Sequence, residues 1–518
     1  MTPIRRIAAV VATTTAAALV LSGCVWTGIP RGTSSSASTE RPPVADGVSA
    51  DLRPYYEQAL TWGSCEDLGT DEFDCTTVRA PRDWSDPDAG DLELALIRHR
   101  AEAAEPIGSL LVNPGGPGAS GYDLVADSLT LVVGEALTAA YDIVGFDPRG
   151  VGRSTAVHCF DAADMDAYLF DLPTAPRDSA QWRDELTTRN RAFVAACESG
   201  SDGILPFLTT ENAARDLDLL RGVLGDAQLH YLGYSYGTFL GATYAKLFPS
   251  RVGRLVLDGA IDPSSSDLDV EQTQAIGFES ALRAYMADCL STRECPFSGT
   301  VDDAMRDLGT LLASVDQRPL VATDGRKLGA NALTLAIIAA LYAKENWSYL
   351  TQALDGALVG DPGIAFALVD FYYQREGGMY MDNSTEAFFA YNCMDYPRDS
   401  TEADLAAAKA AIAEQAPTIA PYWFGVSVCE VWPYPPTGVR EPIEAAGAAP
   451  IVVVGTTNDP ATPYSWSVAL AEQLDSGVLV TREGEGHTGY GKGNSCVDDA
   501  VEDYLVDGTV PQDGLVCR

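Results

Sequence analysis

Short apolar runs recur along the first 260 residues and return after residue 450. Most are continuous, rich in leucine or β-branched residues, and end at a turn signal, as expected of strands buried on both faces of a sheet. Helical patterns such as 212–224 and 238–247 separate several of them, which predicts an α/β protein with a mostly parallel central sheet. The predicted strands are Leu92–Ile97, Ser109–Val112, Tyr141–Phe146, His230–Leu232, Arg254–Leu257, Pro450–Val454 and Gly477–Val480.

The alternation of strands and helices stops after Asp258-Gly259. Residues 262–440 then read as helical and aromatic-rich, and strand character returns at Pro450. We therefore expect one sheet domain, built from residues 51–261 and 441–518, that is interrupted by a large helical lid over 262–440.

The N-terminus has the features of an export signal. Arg5 and Arg6 precede an apolar stretch over 7–21, which ends at Leu21-Ser22-Gly23-Cys24. This pattern is typical of a bacterial lipoprotein signal peptide over 1–23 with lipid attached to Cys24, although an ordinary signal peptide that contains a cysteine is the alternative. Residues 24–50 include a stretch rich in Ser, Thr, Gly and Pro, which predicts a flexible tether. We expect an exported protein anchored to the cell membrane and facing outside.

The charge balance limits the partners that the chain can bind. The 518 residues carry 34 Lys and Arg against 73 Asp and Glu, a net charge of −39. Because such a body repels phosphate backbones, it excludes nucleic acid as a partner.

Cysteine usage fits an exported protein. Eleven cysteines are present, and ten remain when Cys24 is set aside. An even number in an exported chain predicts disulfides. Many connectivities are possible, and the order along the chain favours neighbours. With no C-x-x-C pattern and only four histidines, a metal site is not expected. The expected pairs are Cys65–Cys75, Cys159–Cys197, Cys289–Cys295, Cys393–Cys429 and Cys496–Cys517.

The most specific motif is Gly233-Tyr234-Ser235-Tyr236-Gly237, which lies between a predicted strand and a predicted helix. A nucleophile elbow needs this context, since small residues on both sides of the serine allow a sharp turn. The helix that follows supplies N–H groups for a developing negative charge. Ser235 is therefore the candidate nucleophile.

A serine nucleophile needs a base and a group that orients the base. Of the four histidines, His487 follows the last predicted strand and lies in a loop from which it could reach the serine. Asp459 follows the preceding strand, so the order Ser235, Asp459, His487 is that of α/β-hydrolases. The plain alternatives are a solvated loop histidine and a turn aspartate before Pro460. His99, His158 and His230 are expected to be uninvolved.

A glycine-rich turn, 113–121, follows the strand Ser109–Val112. Such a turn can aim a backbone N–H at an oxyanion. It also contains the bare dinucleotide spacing Gly116-x-Gly118-x-x-Gly121, but Pro117 removes a phosphate-binding N–H and an exported protein has little access to NAD. The next strand ends at the run 147–154, which we interpret as structural, with Arg149 paired locally to Asp147.

Taken together, these residues resemble the exported tripeptidyl-aminopeptidase-type branch of the α/β-hydrolases, which is related to prolyl iminopeptidases. The resemblance covers most of the chain. It rests on segments 113–121, 147–154 and 210–221, the elbow, Asp258-Gly259, Ala390-x-x-Cys393-x-Asp395, Cys429-x-x-Trp432-Pro433 and the Asp459…His487 pair. It departs from the prolyl-iminopeptidase pattern at Pro114, where those enzymes carry histidine.

The resemblance implies an α/β-hydrolase fold and a catalytic triad. Ser235 is then the nucleophile, His487 the base and Asp459 its partner. The oxyanion donors are the N–H groups of Tyr236 and of Gly115 or Gly116, and no cofactor is needed.

The resemblance also implies an exported serine hydrolase acting on a peptide or a small ester. The first expectation is an aminopeptidase that releases short, tripeptide-type N-terminal peptides. A lid carboxylate would then read the substrate's amine, with Glu345, Glu376 and Asp395 as candidates. The alternatives are a carboxylesterase or lipase acting on cell-envelope or exogenous esters, and a substrate-binding lipoprotein without catalysis.

Overall fold

The computed structural model describes residues 41–65 and 68–518. The expected signal peptide, Cys24 and the first part of the expected tether lie outside this part of the chain. Within it, no helix has the length and apolar character that crossing a membrane requires.

The strands of the described chain fall into one large sheet and two small hairpins. In chain order they are β1 (Gly63–Ser64), β2 (Phe73–Pro81), β3 (Asp91–His99), β4 (Ser109–Asn113), β5 (Asp142–Phe146), β6 (Leu229–Tyr234), β7 (Val252–Asp258), β8 (Leu320–Val321), β9 (Lys327–Leu328), β10 (Arg375–Glu376), β11 (Met379–Tyr380), β12 (Ile451–Asn458), β13 (Gly477–Glu485) and β14 (Leu515–Cys517). The large sheet has ten strands in the order β1-β2-β3-β5-β4-β6-β7-β12-β13-β14, while β8 pairs with β9 and β10 with β11.

Strand direction brings the candidate loops to one edge of the sheet. From β5 to β14 neighbouring strands are parallel, whereas β1, β2 and β3 run antiparallel to their neighbours. The loops after Asn113, Tyr234, Asp258, Asn458 and Glu485 therefore leave the sheet at the same edge, as is usual for ligand sites in parallel sheets. The expected mostly parallel α/β sheet is confirmed.

Each of the seven predicted strands overlaps an observed one, whereas β1, β2 and β14 of the large sheet and all four strands of the two small hairpins were missed. Strand β2 carries polar residues over much of its length, and several of them are partly or fully exposed. Because β2 lies near an antiparallel edge that water reaches, it lacks the continuous apolar run of a fully buried strand.

Helices connect the strands of this sheet before and after the insertion in the chain, and they make up most of the insertion itself. They are α1 (Arg53–Tyr56), α2 (Gly121–Val132), α3 (Glu135–Ala140), α4 (Ala162–Phe170), α5 (Ala180–Gly200), α6 (Thr210–Val223), α7 (Tyr236–Leu247), α8 (Asp267–Leu290), α9 (Val301–Gln317), α10 (Ala330–Leu341), α11 (Trp347–Val359), α12 (Gly363–Tyr372), α13 (Ser384–Asp395), α14 (Glu402–Gln415), α15 (Ala420–Trp423), α16 (Tyr464–Gln473) and α17 (Ser495–Asp507).

The segment from α8 to α15, between β7 and β12, forms the lid. It has a hydrophobic core largely of its own, in which Phe278, Leu308, Ile337, Leu350 and Phe366 are buried together. A core of this kind allows the lid to hold its shape without contributing a strand to the large sheet.

Residues 41–50 differ from the expected flexible tether. Arg41 donates to the Ser109 hydroxyl at 2.7 Å and lies 3.4 Å from the buried carboxylate of Asp226. The N–H of Val44 donates to the carbonyl of Gly222 at 2.8 Å. The described chain is therefore fixed to the sheet domain from Arg41 onward. The Arg41 guanidinium supplies the cation that the buried carboxylate of Asp226 needs.

Five disulfides join the pairs that their order along the chain favoured. Three of them lie in the sheet domain, namely Cys65–Cys75, Cys159–Cys197 and Cys496–Cys517. The other two, Cys289–Cys295 and Cys393–Cys429, lie in the lid.

Arg149 does not pair with Asp147, so that expectation was wrong. Its fully buried guanidinium donates twice to Asp216 of α6, at 2.7 and 2.6 Å, and Trp84 donates to the same carboxylate. Asp147 instead accepts from the Ser120 hydroxyl at 2.5 Å and from the N–H of Arg153. A buried guanidinium needs a bidentate partner, and α6 supplies one from 67 residues away in sequence.

The buried pair yields a stability prediction. Asp216→Ala leaves Arg149 buried without its counter-charge, so the free energy of unfolding should fall by about 3–5 kcal/mol. Glu211→Ala removes an exposed pair with Arg215 on the same helix and should cost less than about 1 kcal/mol. Urea denaturation with disulfides intact measures both changes, and equal losses would contradict the assignment.

Candidate active site

Ser235 lies in a strained backbone conformation between β6 and α7. Its φ is 54° and ψ is −122°, values rarely adopted by a residue with a side chain. A Cβ on Gly233 would approach the carbonyl of Gly237 to 2.5 Å, and one on Gly237 would lie 2.8 Å from the Asn113 side chain. Glycine is therefore required on both sides of the turn that presents Ser235, as in a nucleophile elbow.

Asp459 and His487 are brought together at the ends of β12 and β13. The Nδ1 of His487 lies 2.9 and 3.0 Å from the two carboxylate oxygens of Asp459. Since a carboxylate only accepts, Nδ1 carries the proton, and Nε2 is left with a free lone pair. The imidazole is thus fixed in the tautomer that a general base requires.

Asp459 is held firmly because it accepts several further hydrogen bonds. The N–H groups of Ala461, Thr462 and Thr488 donate at 2.9, 2.9 and 3.0 Å, and the Thr462 hydroxyl donates at 3.0 Å. That hydroxyl also lies 3.2 Å from Nδ1 of His487. The sequence analysis missed Thr462, although its position three residues after Asp459 is typical of a hydroxyl that supports an aspartate turn.

The turn after β7 joins the two halves of this site. The carbonyl of Asp258 accepts from the N–H of Ser235 at 2.9 Å. Its carboxylate accepts from the N–H of Gly489 at 2.8 and 3.0 Å and from that of Tyr490 at 2.8 Å. Burial raises the pKa of Asp258 to about 6. One residue therefore holds both the elbow and the loop that carries His487.

Gly259, which follows, explains how closely these segments approach one another. Its φ is 69°, and a Cβ there would lie 3.2 Å from Cε1 of His487. The Asp258-Gly259 turn thus lies between the backbone of Ser235 and the imidazole ring. The sequence motif was noted, but its contact with the histidine depends on the strand order β6-β7-β12-β13.

The glycine-rich turn lies against the elbow, with one correction to its expected role. A Cβ on Gly115 would lie 2.9 Å from the N of Tyr236, so only glycine fits there. The N–H of Gly115, however, donates to the Asn113 side chain at 3.0 Å and is not available to an oxyanion. Among the described residues, the N–H groups of Gly116 and Tyr236 have no acceptor and stay the candidate donors.

The other three histidines lie away from the elbow. His230 is largely enclosed near the start of β6, where its Nδ1 accepts from the N–H of Arg254, and burial lowers its pKa to about 4. His99 ends β3 with its ring against Phe73, and His158 is exposed beside the disulfide at Cys159.

The lid packs directly on the glycine-rich turn and on the histidine loop. A Cβ on Gly118 would meet the carbonyl of Ser384 at 2.6 Å and Ala387 at 3.0 Å, so α13 rests on this turn. The carbonyl of Tyr342 accepts from the N–H of His487 at 2.8 Å, and the two rings meet edge to face with centroids 5.2 Å apart. The site is therefore covered on two sides by the lid.

Next to His487, aromatic rings of the lid contact one another in a group that we call the aromatic cluster, defined by Tyr342, Tyr372, Tyr373 and Trp423. Tyr372 contacts both Tyr342 and Tyr373, while Phe278 contacts Tyr342 and Trp423. Tyr372 is 40% exposed, so solvent reaches this cluster.

The three carboxylates expected to read an amine differ in burial. Asp395 is buried and accepts from the N–H and the hydroxyl of Thr210, at 2.9 and 2.6 Å. Glu345 and Glu376 are exposed, on the turn after α10 and on β10. Asp395 thus holds the first residue of α6 through two hydrogen bonds.

This arrangement supports acyl transfer. A serine hydroxyl at an elbow, an oriented imidazole and two free backbone N–H groups are the parts that nucleophilic attack on a carbonyl requires. The described residues contain no cluster of three or more His, Cys, Asp or Glu suited to a metal ion.

The role of Asp258 can be tested on the reactivity of Ser235. In Asp258→Asn, an NH₂ group replaces one of the two acceptor oxygens that face Gly489 and Tyr490. A displaced His487 loop should slow labelling by a fluorophosphonate about 10–100-fold, since small misplacements of a catalytic group are costly. Asp226→Asn changes a buried carboxylate at the opposite end of the sheet and is the matched control. An unchanged labelling rate in folded Asp258→Asn contradicts this role.

Comparison with known proteins agrees with the geometry. The family described as "TAP-like protein" matches residues 416–517. The chain is 34% identical to "Serine protease Hip1" of Mycobacterium tuberculosis over 522 residues, which cover 97% of this chain and 96% of the relative.

Two further relatives carry different names. "Carboxylesterase B" of Mycobacterium tuberculosis is 37% identical over 512 residues, covering 96% of this chain and 97% of the relative. "Tripeptidyl aminopeptidase" of Streptomyces lividans is 29% identical over 456 residues, covering 86% and 83%. The chain therefore belongs to the TAP-like family of α/β-hydrolases and is a serine hydrolase.

Proposed function

We propose that this enzyme is an exported aminopeptidase that releases short, tripeptide-type N-terminal peptides. The observation that carries the proposal is the lid, which packs on Gly118 on one side of the elbow and on His487 on the other. A site enclosed in this way admits a free chain end more easily than the middle of a folded polypeptide. The relative named tripeptidyl aminopeptidase supports the same function.

In the proposed reaction, Ser235 attacks the scissile carbonyl carbon while Nε2 of His487 takes the hydroxyl proton. Asp459 stabilises the imidazolium that forms, and the N–H groups of Gly116 and Tyr236 stabilise the oxyanion. His487 then gives its proton to the leaving amine. Water, activated by the same histidine, hydrolyses the acyl-enzyme and restores Ser235.

A carboxylesterase acting on cell-envelope or exogenous esters is the second candidate. The aromatic cluster beside His487 favours it, since aromatic rings accept an acyl chain as readily as apolar side chains of a peptide. The relative named carboxylesterase B supports this alternative. Both candidates use the same acyl-enzyme chemistry and differ in what the lid admits.

A comparison of matched substrates separates the two functions. A tripeptide anilide with a free N-terminus should be cleaved at least about tenfold faster than its N-acetylated form, because blocking removes a charge-assisted contact of about 1.5–3 kcal/mol. Release of the aniline measures kcat/KM, and short acyl esters are assayed beside it. Ser235→Ala, the control, should lose hydrolysis of every substrate. Equal cleavage of free and acetylated peptides would overturn the aminopeptidase in favour of the esterase.

We also propose that the chain is exported and anchored to the cell membrane through lipid on Cys24. The support is the sequence over residues 1–24, with its two arginines, apolar stretch and small residues before the cysteine. A lipid anchor holds the protein at the outer face of the membrane, where peptides and esters outside the cell can reach it.

Anchoring predicts a change in fractionation. Cys24→Ala removes the lipidated thiol, so the protein should leave the washed membrane fraction, where the wild type is expected. Immunoblotting of membrane and soluble fractions measures the shift, and Cys289→Ala is a control that alters a lid cysteine. Wild-type protein that carries no lipid by intact mass would contradict the anchor.

A further inference from the structure

Helix α13 of the lid lies against both segments that carry the candidate oxyanion donors. Near its start, a Cβ on Gly118 would meet the carbonyl of Ser384 at 2.6 Å, two residues after the donor Gly116. Near its end, the ring of Tyr391 meets that of Tyr236 edge to face, with centroids 5.9 Å apart. One helix therefore contacts the glycine-rich turn and the elbow at the same time.

This helix is fixed to the sheet domain. Glu386 accepts from the N–H groups of Cys159 and Phe160, at 3.0 Å each. Asn383, just before the helix, accepts from the N–H of Gly152 at 2.8 Å. Several side chains of α13 are buried in the core of the sheet domain, namely Ala387, Ala390, Tyr391, Cys393 and Met394. The position of α13 is thus set by the domain that carries the triad.

At the end of α13, a buried chain of hydrogen bonds reaches Tyr236. The Thr210 hydroxyl lies 2.6 Å from the Asp395 carboxylate and 2.6 Å from the Tyr236 hydroxyl. Burial raises the pKa of Asp395 to about 6, so at neutral pH this carboxylate is ionised and only accepts. The single proton of the Thr210 hydroxyl is then directed at Asp395, and the Tyr236 hydroxyl donates to Thr210.

The chain ends on the residue whose N–H faces the developing oxyanion. Tyr236 is the first residue of α7, where an N–H has no acceptor within the helix. Its side chain is held at the hydroxyl by Thr210 and at the ring by Tyr391. A side chain held at both places restricts its own backbone, and a small misplacement of an oxyanion donor slows the reaction.

We propose that Asp395 and Thr210 are positioning residues of the oxyanion hole, an assignment that rests on the proposed role of the Tyr236 N–H as a donor. Through them, the last residue of α13 holds one donor in place, while the start of the helix packs on the turn that carries the other donor, Gly116. The lid therefore contributes to the chemistry as well as to substrate access. The role is the same for peptides and esters, because both react through an oxyanion.

The first experiment removes the hydroxyl at the end of the chain. In Tyr236→Phe, the maximal rate of labelling by a fluorophosphonate, kinact, should fall about 3–10-fold, the value of one hydrogen bond. The concentration for half-maximal labelling, KI, should change by less than about twofold, since the reagent still binds. Tyr244→Phe removes a buried tyrosine hydroxyl further along α7 and is the matched control, with an unchanged kinact expected.

The second experiment reverses the direction of the chain. In Asp395→Asn, the remaining carbonyl oxygen keeps the N–H of Thr210, so the new NH₂ group faces the Thr210 hydroxyl and donates to it. The hydroxyl of Tyr236 then loses its acceptor, and kinact should fall about as much as in Tyr236→Phe. Adding Tyr236→Phe to Asp395→Asn should cost less than about twofold more, because both changes remove the same bond.

Conservative variants at Thr210 separate positioning from folding. Thr210→Ser keeps the hydroxyl and should label at the wild-type rate, whereas Thr210→Val should slow labelling as Tyr236→Phe does. Thermal unfolding with the disulfides intact identifies the variants that are folded at the assay temperature, and rates are compared among those.

The outcomes distinguish this assignment from the proposed function. The assignment is overturned by an unchanged kinact in folded Tyr236→Phe, by a change in KI alone, or by equal slowing in Tyr244→Phe. Losses that add in the double variant overturn it as well, since they show two independent effects. If Ser235→Ala is still labelled, the proposed serine chemistry itself fails, whatever Asp395 does.

Discussion

The strained backbone at Ser235 is the constraint on which the site depends. A residue with a side chain keeps φ 54° together with ψ −122° only when its neighbours prevent relaxation. Here the N–H of Ser235 is held by the carbonyl of Asp258, and the glycines at 115, 233 and 237 leave space for the turn. The energy that this conformation costs is offset by a buried parallel sheet. This conformation places the Ser235 hydroxyl at the edge of the sheet where the loops after β4, β6, β7, β12 and β13 lie.

Asp258 makes the two halves of the site depend on each other. Its main chain fixes the elbow while its carboxylate fixes the backbone just after His487. A carboxylate with several N–H donors can stay in the interior because these bonds replace water. Asp459 follows the same principle on the next strand. The site is thus built from two buried carboxylates on neighbouring strands, of which one orients the imidazole and the other positions its loop.

The lid joins the sheet domain in two ways. Much of its buried core is its own, but α13 packs into the core of the sheet domain. It reaches the site at three places, through Tyr342, α13 and Gln274 of α8. Relatives of this chain are named as a protease, a peptidase and an esterase, and one fold commonly supports several such activities.

The sequence by itself determined the features that depend on neighbouring residues. Continuous apolar runs predicted the buried strands, and the glycines around Ser235 predicted a sharp turn, because periodicity and steric space are local. Tertiary structure alone decided the rest. Arg149 pairs with Asp216 on a distant helix, and the carboxylate of Asp258 holds the loop after His487. The partner of a buried charge depends on groups far apart in sequence, which only the folded chain brings together.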